Sequence, residues 1–263
     1  EDGTATAWDL PTGELVTALP GLPGPARGCV AAPDGSWVAV PAQPKALRLW
    51  QPATGAVCGM ITADVPILAF DVPADGRWLV GACADGALRL WDTETCEWMA
   101  TIPDQPNSAQ ACAAAPDGSW VASGGNDGMV RIFDAASLTR RAVLSGHVGP
   151  VLGLAASPDG RRLASTGNDN TVRVWDVAAA RGLAVLRGHT HTVRGAAFAP
   201  DGRWLATAGG DGSVRIWEPD TWRCVTMIRF VGAARACAWL PDSSGLAVAG
   251  SAGLYLFSLV TGS

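Results

Sequence analysis

A repeat of about 42 residues constrains the fold of this chain more than any other feature. In each repeat an aromatic residue ends a short aliphatic or β-branched segment, and consecutive members of the series are 40 to 42 residues apart. The members are Trp8, Trp50, Trp91, Phe133, Trp175, Trp217 and Phe257. Such a period indicates a row of similar units, each of which buries its apolar surface against its neighbours.

Two series of turn sequences share this period. One is Pro-Asp-Gly or a close variant, at 33–35, 74–76, 116–118, 158–160, 200–202 and 241–243. The other is Asp-Gly or Asp-Asn, at 2–3, 85–86, 127–128, 169–170 and 211–212. Both are typical of tight turns, and the segments between them have the length of strands. Four short strands per repeat predict an all-β propeller built of four-stranded antiparallel blades.

The number of blades follows from counting strands, labelled a to d from the axis outward. The pattern predicts 25 strands, which is not a multiple of four. We therefore predict one propeller domain over 1–263, cut at its N-terminus, with seven blades in the intact protein. The alternative is a six-bladed closure of this segment, in which strand 14–19 completes the last blade.

Composition excludes several classes of function. Hydrophobic residues make up 48% of the 263 residues and the net charge is −5, so the chain shows no electrostatic footprint for nucleic acid or an anionic membrane. The seven cysteines contain no Cys-x-x-Cys pair, and no Gly-rich phosphate loop is visible. We predict no cofactor, no metal, no nucleic-acid partner and no membrane partner. Reduced thiols favour a cytoplasmic location.

Two repeats carry matching polar residues at identical spacing. Each has Gly-His, then a hydroxyl residue 18 positions after the His, an Asp at 22 and a Trp at 28. The two sets are His147, Ser165, Asp169 and Trp175, and His189, Thr207, Asp211 and Trp217. With the Trp-Asp ending, these residues resemble the WD-repeat family over nearly the whole chain.

The resemblance implies a structural role for the two sets, which we call tetrads. In the family the indole donates to the hydroxyl, the hydroxyl bonds to the imidazole, and the imidazole bonds to the carboxylate. This order suits the donors and acceptors of the four groups, and it occurs twice in register, so we predict no catalytic triad. The repeat ending at Trp91 has Ala63 and Gly81 in the His and hydroxyl positions, and we expect such repeats to rely on apolar packing.

The resemblance also implies a face for partners, made of the d-to-a loops and the b-to-c turns. The predicted partner-binding residues there are Asn126, Asn168, Thr190, His191 and Thr192. The two asparagines could bond a partner backbone or only shape their own hairpins.

Two series of arginines share the repeat register. Arg27, Arg194 and Arg235 fall on strand a, where they would hold an acidic partner segment or a small anion near the channel; the alternative is three separate solvated side chains. The second series precedes each closing aromatic by two positions, and we predict that it pairs with acids on a neighbouring strand or blade. Its members are Arg48, Arg89, Arg131, Arg173 and Arg215.

The resemblance implies a non-enzymatic protein-interaction scaffold. Segments 237–241 and 253–257 are similar to the end of bacterial proteins that join an NB-ARC or NACHT-type signalling ATPase to a WD-repeat sensor, so we predict a trigger-sensing or regulatory domain with the ATPase upstream. One alternative is a regulatory propeller fused to a bacterial protein kinase. Another is a propeller hydrolase, which would need acids, amides or histidines at the axis, where strand a offers mainly Ala, Val, Gly, Cys and Arg.

Overall fold

The computed structural model describes residues 4–9, 12, 14–22, 28–103 and 108–258. Its regular secondary structure in these residues consists of 25 strands, the number that the repeat predicts. The chain divides into two compact units, Glu1–Gly118 (unit 1) and Ser119–Ser263 (unit 2). Within the described ranges, no helix has the length and apolarity needed to span a membrane.

Unit 1 contains a two-stranded sheet, two four-stranded sheets and one further strand. The strands are β1 (Ala5–Trp8), β2 (Leu15–Leu19), β3 (Val30–Ala31), β4 (Val38–Gln43), β5 (Ala46–Trp50), β6 (Val57–Thr62), β7 (Ile67–Asp71), β8 (Trp78–Cys83), β9 (Leu88–Asp92), β10 (Trp98–Ile102) and β11 (Ala109–Ala114). The four-stranded sheets have the orders β3-β4-β5-β6 and β7-β8-β9-β10, so each is a simple meander.

Unit 2 repeats the same plan. Its strands are β12 (Trp120–Gly125), β13 (Val130–Asp134), β14 (Arg140–Leu144), β15 (Val151–Ala156), β16 (Arg162–Gly167), β17 (Val172–Asp176), β18 (Arg181–Leu186), β19 (Val193–Phe198), β20 (Leu205–Gly209), β21 (Ser213–Glu218), β22 (Arg223–Arg229), β23 (Ala234–Trp239), β24 (Gly245–Gly250) and β25 (Gly253–Ser258). β12, β13 and β14 are consecutive strands of one sheet, β15 to β18 and β19 to β22 form four-stranded meanders, and β23 to β25 form a three-stranded one.

Six sheets of the described chain have at least three strands, and this count agrees with the six-bladed alternative for the segment. The expectation that strand 14–19 completes the last blade was wrong, because β2 pairs with β1 in a two-stranded sheet. The seven-bladed intact protein stays a prediction. Neighbouring strands pair antiparallel, and a bulge recurs where strand c meets strand d, as between Val174 and Trp175. The bulge bends the outer strand next to the closing aromatic.

The two middle strands of each sheet carry the core. Every residue of β12 is buried, whereas the outer strand β14 is mostly exposed and buries only its last residue, Leu144. Because the middle strands are covered on both faces, their sequences read as continuous apolar runs rather than as alternating ones. The closing aromatics Trp50, Trp91 and Phe133 are at most 2% exposed.

The innermost strands of unit 2 pack very closely. A Cβ added at Gly153 of β15 would lie 2.6 Å from the carbonyl oxygen of Arg194 on β19. One added at Gly195 of β19 would lie 3.1 Å from the Cα of Ala236 on β23. Both glycines are therefore required for close approach of neighbouring backbones.

Candidate functional site

The first predicted tetrad assembles in unit 2. Trp175 on β17 donates its indole N–H to Ser165 Oγ on β16 at 2.8 Å, and Ser165 Oγ lies 2.8 Å from His147 Nε2. His147 Nδ1 faces the two carboxylate oxygens of Asp169 at 3.0 and 3.1 Å. Since a carboxylate only accepts, Nδ1 carries the proton and Nε2 accepts the serine hydroxyl.

The second tetrad has the same geometry one repeat later. Trp217 donates to Thr207 Oγ1 at 2.9 Å, and that oxygen lies 2.9 Å from His189 Nε2. His189 Nδ1 is 3.2 Å from both carboxylate oxygens of Asp211. In each set, strands b and c are tied to the loop that enters strand a.

Burial decides the ionisation of these groups. Desolvation lowers the pKa of His147 and of His189, against the opposing effect of the partner carboxylates, so both rings are neutral at pH 7. The pKa of Asp211 falls to about 2, because hydrogen bonds from Ser213, Thr190 and His189 outweigh the desolvation that would raise it. A neutral imidazole that donates to an ionised carboxylate is the state that satisfies every buried group.

The tetrad aspartates also hold the d-to-a loops. Asp169 accepts the main-chain N–H of Val148 at 3.0 Å, and Asp211 accepts that of Thr190 at 2.9 Å. The side chain of Val148 itself is free, and the residue is 80% exposed. Each tetrad therefore presents an outward-facing loop residue on a fixed backbone.

The Gly-His pair works as a unit with the arginine of strand c. A Cβ at Gly146 would clash with Arg173 Nη1, and one at Gly188 would lie 2.9 Å from Arg215 Nη1. Arg215 also donates to the carbonyl of Gly188 at 2.8 Å. The glycine thus leaves room for the guanidinium, while the histidine forms the hydrogen bond to the turn aspartate.

The repeat ending at Trp91 packs apolar residues around its closing tryptophan, as expected, and adds an ion pair in place of this unit. Its Gly-His positions are Thr62 and Ala63, and Arg89 turns to Asp85 with two hydrogen bonds of 3.0 and 2.8 Å. Arg89 also lies 2.9 Å from Asp64. The arginine therefore takes the acceptor that the histidine takes elsewhere.

The repeat ending at Phe133 behaves in the same way. Arg131 donates to Asp127 at 3.3 and 2.7 Å, and the pair is largely buried. Arg89 and Arg131 thus pair with acids, as predicted, but the acid that each shares with its repeat lies in the turn before its own strand, four residues earlier, and not on a neighbouring strand or blade. At Arg173 and Arg215 the histidine holds the acid instead.

The predicted partner residues lie at one end of unit 2. Thr190 and His191 are exposed, and His191 Nδ1 is 3.0 Å from Oγ1 of the half-buried Thr192. Asn168 is exposed, and its main-chain N–H donates to the carbonyl of Pro150 at 3.0 Å, which ties the b-to-c turn to the loop. Asn126 is exposed on the equivalent turn of its repeat.

One exposed loop residue was missed by the sequence analysis. Val231 is 79% exposed, in the loop that enters β23. The signal was present in the register, because Val231 precedes the first residue of β23 by three positions, as Val148 precedes that of β15. Val148, Thr190, His191 and Val231 are together called the loop surface below.

The strand-a arginines fall on neighbouring strands. Arg194 on β19 and Arg235 on β23 are both exposed. Their two strands are the ones that approach each other closely at Gly195. Arg27 lies outside the described residues. The anion site made of all three arginines therefore stays a prediction.

A half-buried acid on strand a was also missed. Asp71 ends β7, and its Oδ2 accepts the main-chain N–H of Ala114 on the neighbouring β11 at 2.9 Å. Desolvation raises the pKa of Asp71 to about 6, although that N–H and the one of Val72 lower it. The equivalent residues in other repeats are alanines such as Ala113 and Ala155, so no repeat pattern predicted an acid here.

Stability should fall as pH rises through the titration of Asp71. The folded state keeps the proton to about pH 6, whereas the unfolded chain loses it near pH 4, so the stabilisation present below pH 4 is lost by pH 6 to 7. We expect Asp71→Asn to remove about 1–2 kcal/mol of the difference in unfolding free energy between pH 5 and pH 8. Urea titrations at both pH values measure it, and an unchanged difference would contradict the burial of this charge.

Asp75→Asn is the matched control for this experiment, because Asp75 lies on the exposed turn that follows β7. Its variant should keep the pH dependence of the parent protein.

No three His, Cys, Asp or Glu side chains of the described ranges cluster as metal ligands would.

Comparison with known families agrees with the repeats described above. The family model "WD domain, G-beta repeat" matches residues 58–92, 99–134, 138–176 and 181–218, more than half of the chain. No curated protein matches the chain. Propellers of this family are generally non-catalytic scaffolds that bind protein partners. With its four-stranded antiparallel sheets and its repeated tetrads, this chain is an all-β propeller that belongs to the WD-repeat family.

Proposed function

We propose that this chain binds a protein partner through the loop surface, as the trigger-sensing or regulatory domain of a larger signalling protein. The observation that carries the proposal is the anchoring of the exposed loops. Val148 and Thr190 face solvent while their main-chain N–H groups are held by Asp169 and Asp211. An exposed side chain on a fixed backbone loses little entropy on binding, which favours affinity.

The composition of this surface suits a protein partner. Val148 and Val231 are each about four-fifths exposed, and Thr190 and His191 add groups that donate and accept hydrogen bonds. Because β15, β19 and β23 are neighbours, the loops that enter them lie at one end of unit 2. Apolar contacts with a polar surround are typical of protein interfaces.

The regulatory role rests on the similarity of the last strands to ATPase-linked sensor propellers. A linked ATPase and a linked kinase are the two forms of this proposal, and the loop surface would serve either one. The cysteines described as free, among them the fully buried Cys83, are compatible with the proposed cytoplasmic location.

Affinity capture with surface variants tests the proposal. The double variant Val148→Asp/Val231→Asp should lose a partner that the parent protein captures, with the affinity for that partner falling about tenfold or more. The matched control is Val143→Asp/Val225→Asp, which places the same charges on the outer strands β14 and β22, where both valines are about half exposed. Equal capture by the two double variants, both with unchanged melting temperatures, would contradict the proposal.

A further inference from the structure

The repeat ending at Trp91, one of those that lack the tetrad, contains a cavity in unit 1. The cavity has a volume of about 410 Å³ and lies between the loop that follows β6 and the strands β9 and β10. Its lining residues are Thr62, Ala63, Asp64, Arg89, Trp91, Trp98 and Thr101. This volume falls in the range of ligand-binding clefts.

The cavity lies where this repeat departs from the tetrad pattern. Ala63 stands at the position of His147 and His189, so no imidazole extends from this loop. The residue on strand b that lies two positions before the turn aspartate is glycine in both tetrad repeats. In this repeat it is the buried Cys83. Trp91, without a hydroxyl partner at Gly81, donates its indole N–H to the carbonyl of Thr62 at 3.2 Å.

One wall of the cavity is an aromatic surface. Trp98 is 62% exposed, and its indole N–H donates to Thr101 Oγ1 at 3.1 Å, which holds the ring along β10. The equivalent positions of the following repeats are Arg140, Gly182 and Cys224, so this tryptophan is peculiar to the repeat with the cavity. An exposed ring fixed beside a cavity offers a face for stacking.

The other wall carries an accessible carboxylate. The side chain of Asp64 is 73% exposed, and its partner Arg89 is already bound through both terminal nitrogens to Asp85. The two carboxylates exceed the single guanidinium by one negative charge. Lys45 balances this charge, since its ammonium donates to the main-chain carbonyl of Asp64 at 2.6 Å. Both carboxylate oxygens of Asp64 contact Arg89 Nη2, at 2.9 and 3.3 Å, but the exposed carboxylate keeps lone pairs that can accept from a second donor.

Further acids precede Trp98 along the chain. Asp92, Glu94 and Glu97 lie in the turn that leads into β10, directly before Trp98. An approaching ligand therefore meets an aromatic face, an exposed carboxylate that is paired on one side with Arg89, and a neighbouring acidic turn. A guanidinium suits all three, because it is planar, stacks on aromatic rings and binds a carboxylate through two N–H groups.

We propose that this cavity binds the arginine side chain of a partner peptide, with the guanidinium stacked on Trp98 and hydrogen-bonded to Asp64. The site uses other residues than the loop surface and does not depend on it. It adds a second, charge-selective contact to the propeller.

A peptide titration followed by NMR tests the site. The probes are acetyl-Gly-Ser-Arg-Ser-Gly-amide and the same peptide with citrulline, which keeps the shape of arginine and removes its charge. The arginine peptide should shift the indole N–H resonance of Trp98, identified by its absence in Trp98→Phe, and the citrulline peptide should bind about tenfold more weakly. Equal binding of both peptides, or no binding of the arginine peptide at millimolar concentration, would overturn the proposal.

Variants locate the binding on this cavity. Trp98→Ala and Asp64→Asn should each weaken the arginine peptide about fivefold or more, whereas Trp98→Phe should keep most of the affinity. The charge-matched control is Asp220→Asn, since the side chain of Asp220 is 90% exposed in unit 2. An equal loss in Asp220→Asn would show non-specific attraction and reject the site. The Val148→Asp/Val231→Asp variant should bind the peptide normally, so failure of the loop surface and failure of this site are distinguishable.

Discussion

We expect Asp211→Ala to lower the free energy of unfolding by about 3 kcal/mol. The carboxylate accepts hydrogen bonds from His189, from the hydroxyl of Ser213 at 2.7 Å and from the main-chain N–H of Thr190. Alanine removes the acceptor of the Ser213 hydroxyl and of the Thr190 N–H, and leaves Nδ1 of the buried imidazole with only Ser213 Oγ, at 3.2 Å. Urea unfolding of the parent and the variant at pH 7 measures the difference.

Asp201→Ala is the matched control for this prediction. Asp201 is a turn aspartate of the same repeat, but it is exposed and accepts the main-chain N–H of Arg203 at 2.9 Å. Its replacement should cost about 0.5 kcal/mol, the effect of an ordinary surface change. Equal losses in the two variants would mean that the tetrad contributes no more than a surface turn.

The second large effect is expected at Gly153. In Gly153→Ala the new Cβ would lie 2.6 Å from the carbonyl oxygen of Arg194 and 2.8 Å from Thr166 Oγ1. The first contact is with backbone, so β15 and β19 must separate to admit the methyl group. We expect a loss of about 3 kcal/mol in the free energy of unfolding, at the upper end of the usual range for overpacked cores.

Gly182→Ala separates this contact from a general effect of removing a strand glycine. The nearest atom to a Cβ at Gly182 is a ring carbon of Trp175 at 3.7 Å, an ordinary van der Waals distance. That variant should be neutral or slightly stabilised, because alanine reduces the entropy of the unfolded chain. A stable Gly153→Ala protein would show that the inner strands are packed more loosely than described.

The repeat pattern was sufficient to predict the strands and the tetrads. Turn residues recur at a fixed period, and the spacing from His147 to Ser165, Asp169 and Trp175 is repeated exactly one unit later. Because equivalent residues of a repeat occupy equivalent places, register alone brings the four side chains together. The exposed Val231 could have been found from the same register.

Other features depended on what the neighbouring side chains leave free. Arg89 and Arg173 share one register, yet the first binds Asp85 and the second packs under Gly146. The position of the arginine depends on two things: whether a histidine is already hydrogen-bonded to the aspartate, and whether the loop residue before it has a Cβ. Asp71 was missed because its burial comes from contact with the next strand, which no local pattern records.

The amino-acid sequence by itself determined the period, the four-stranded unit and the hydrogen-bonded tetrads, because these follow from spacing along a single chain. Only the tertiary structure decided the arginine–aspartate pairs, the raised pKa of Asp71 and the cavity beside Trp98. These depend on side chains of separate strands competing for the same space and the same acceptors, and that competition is settled only when the strands are packed together.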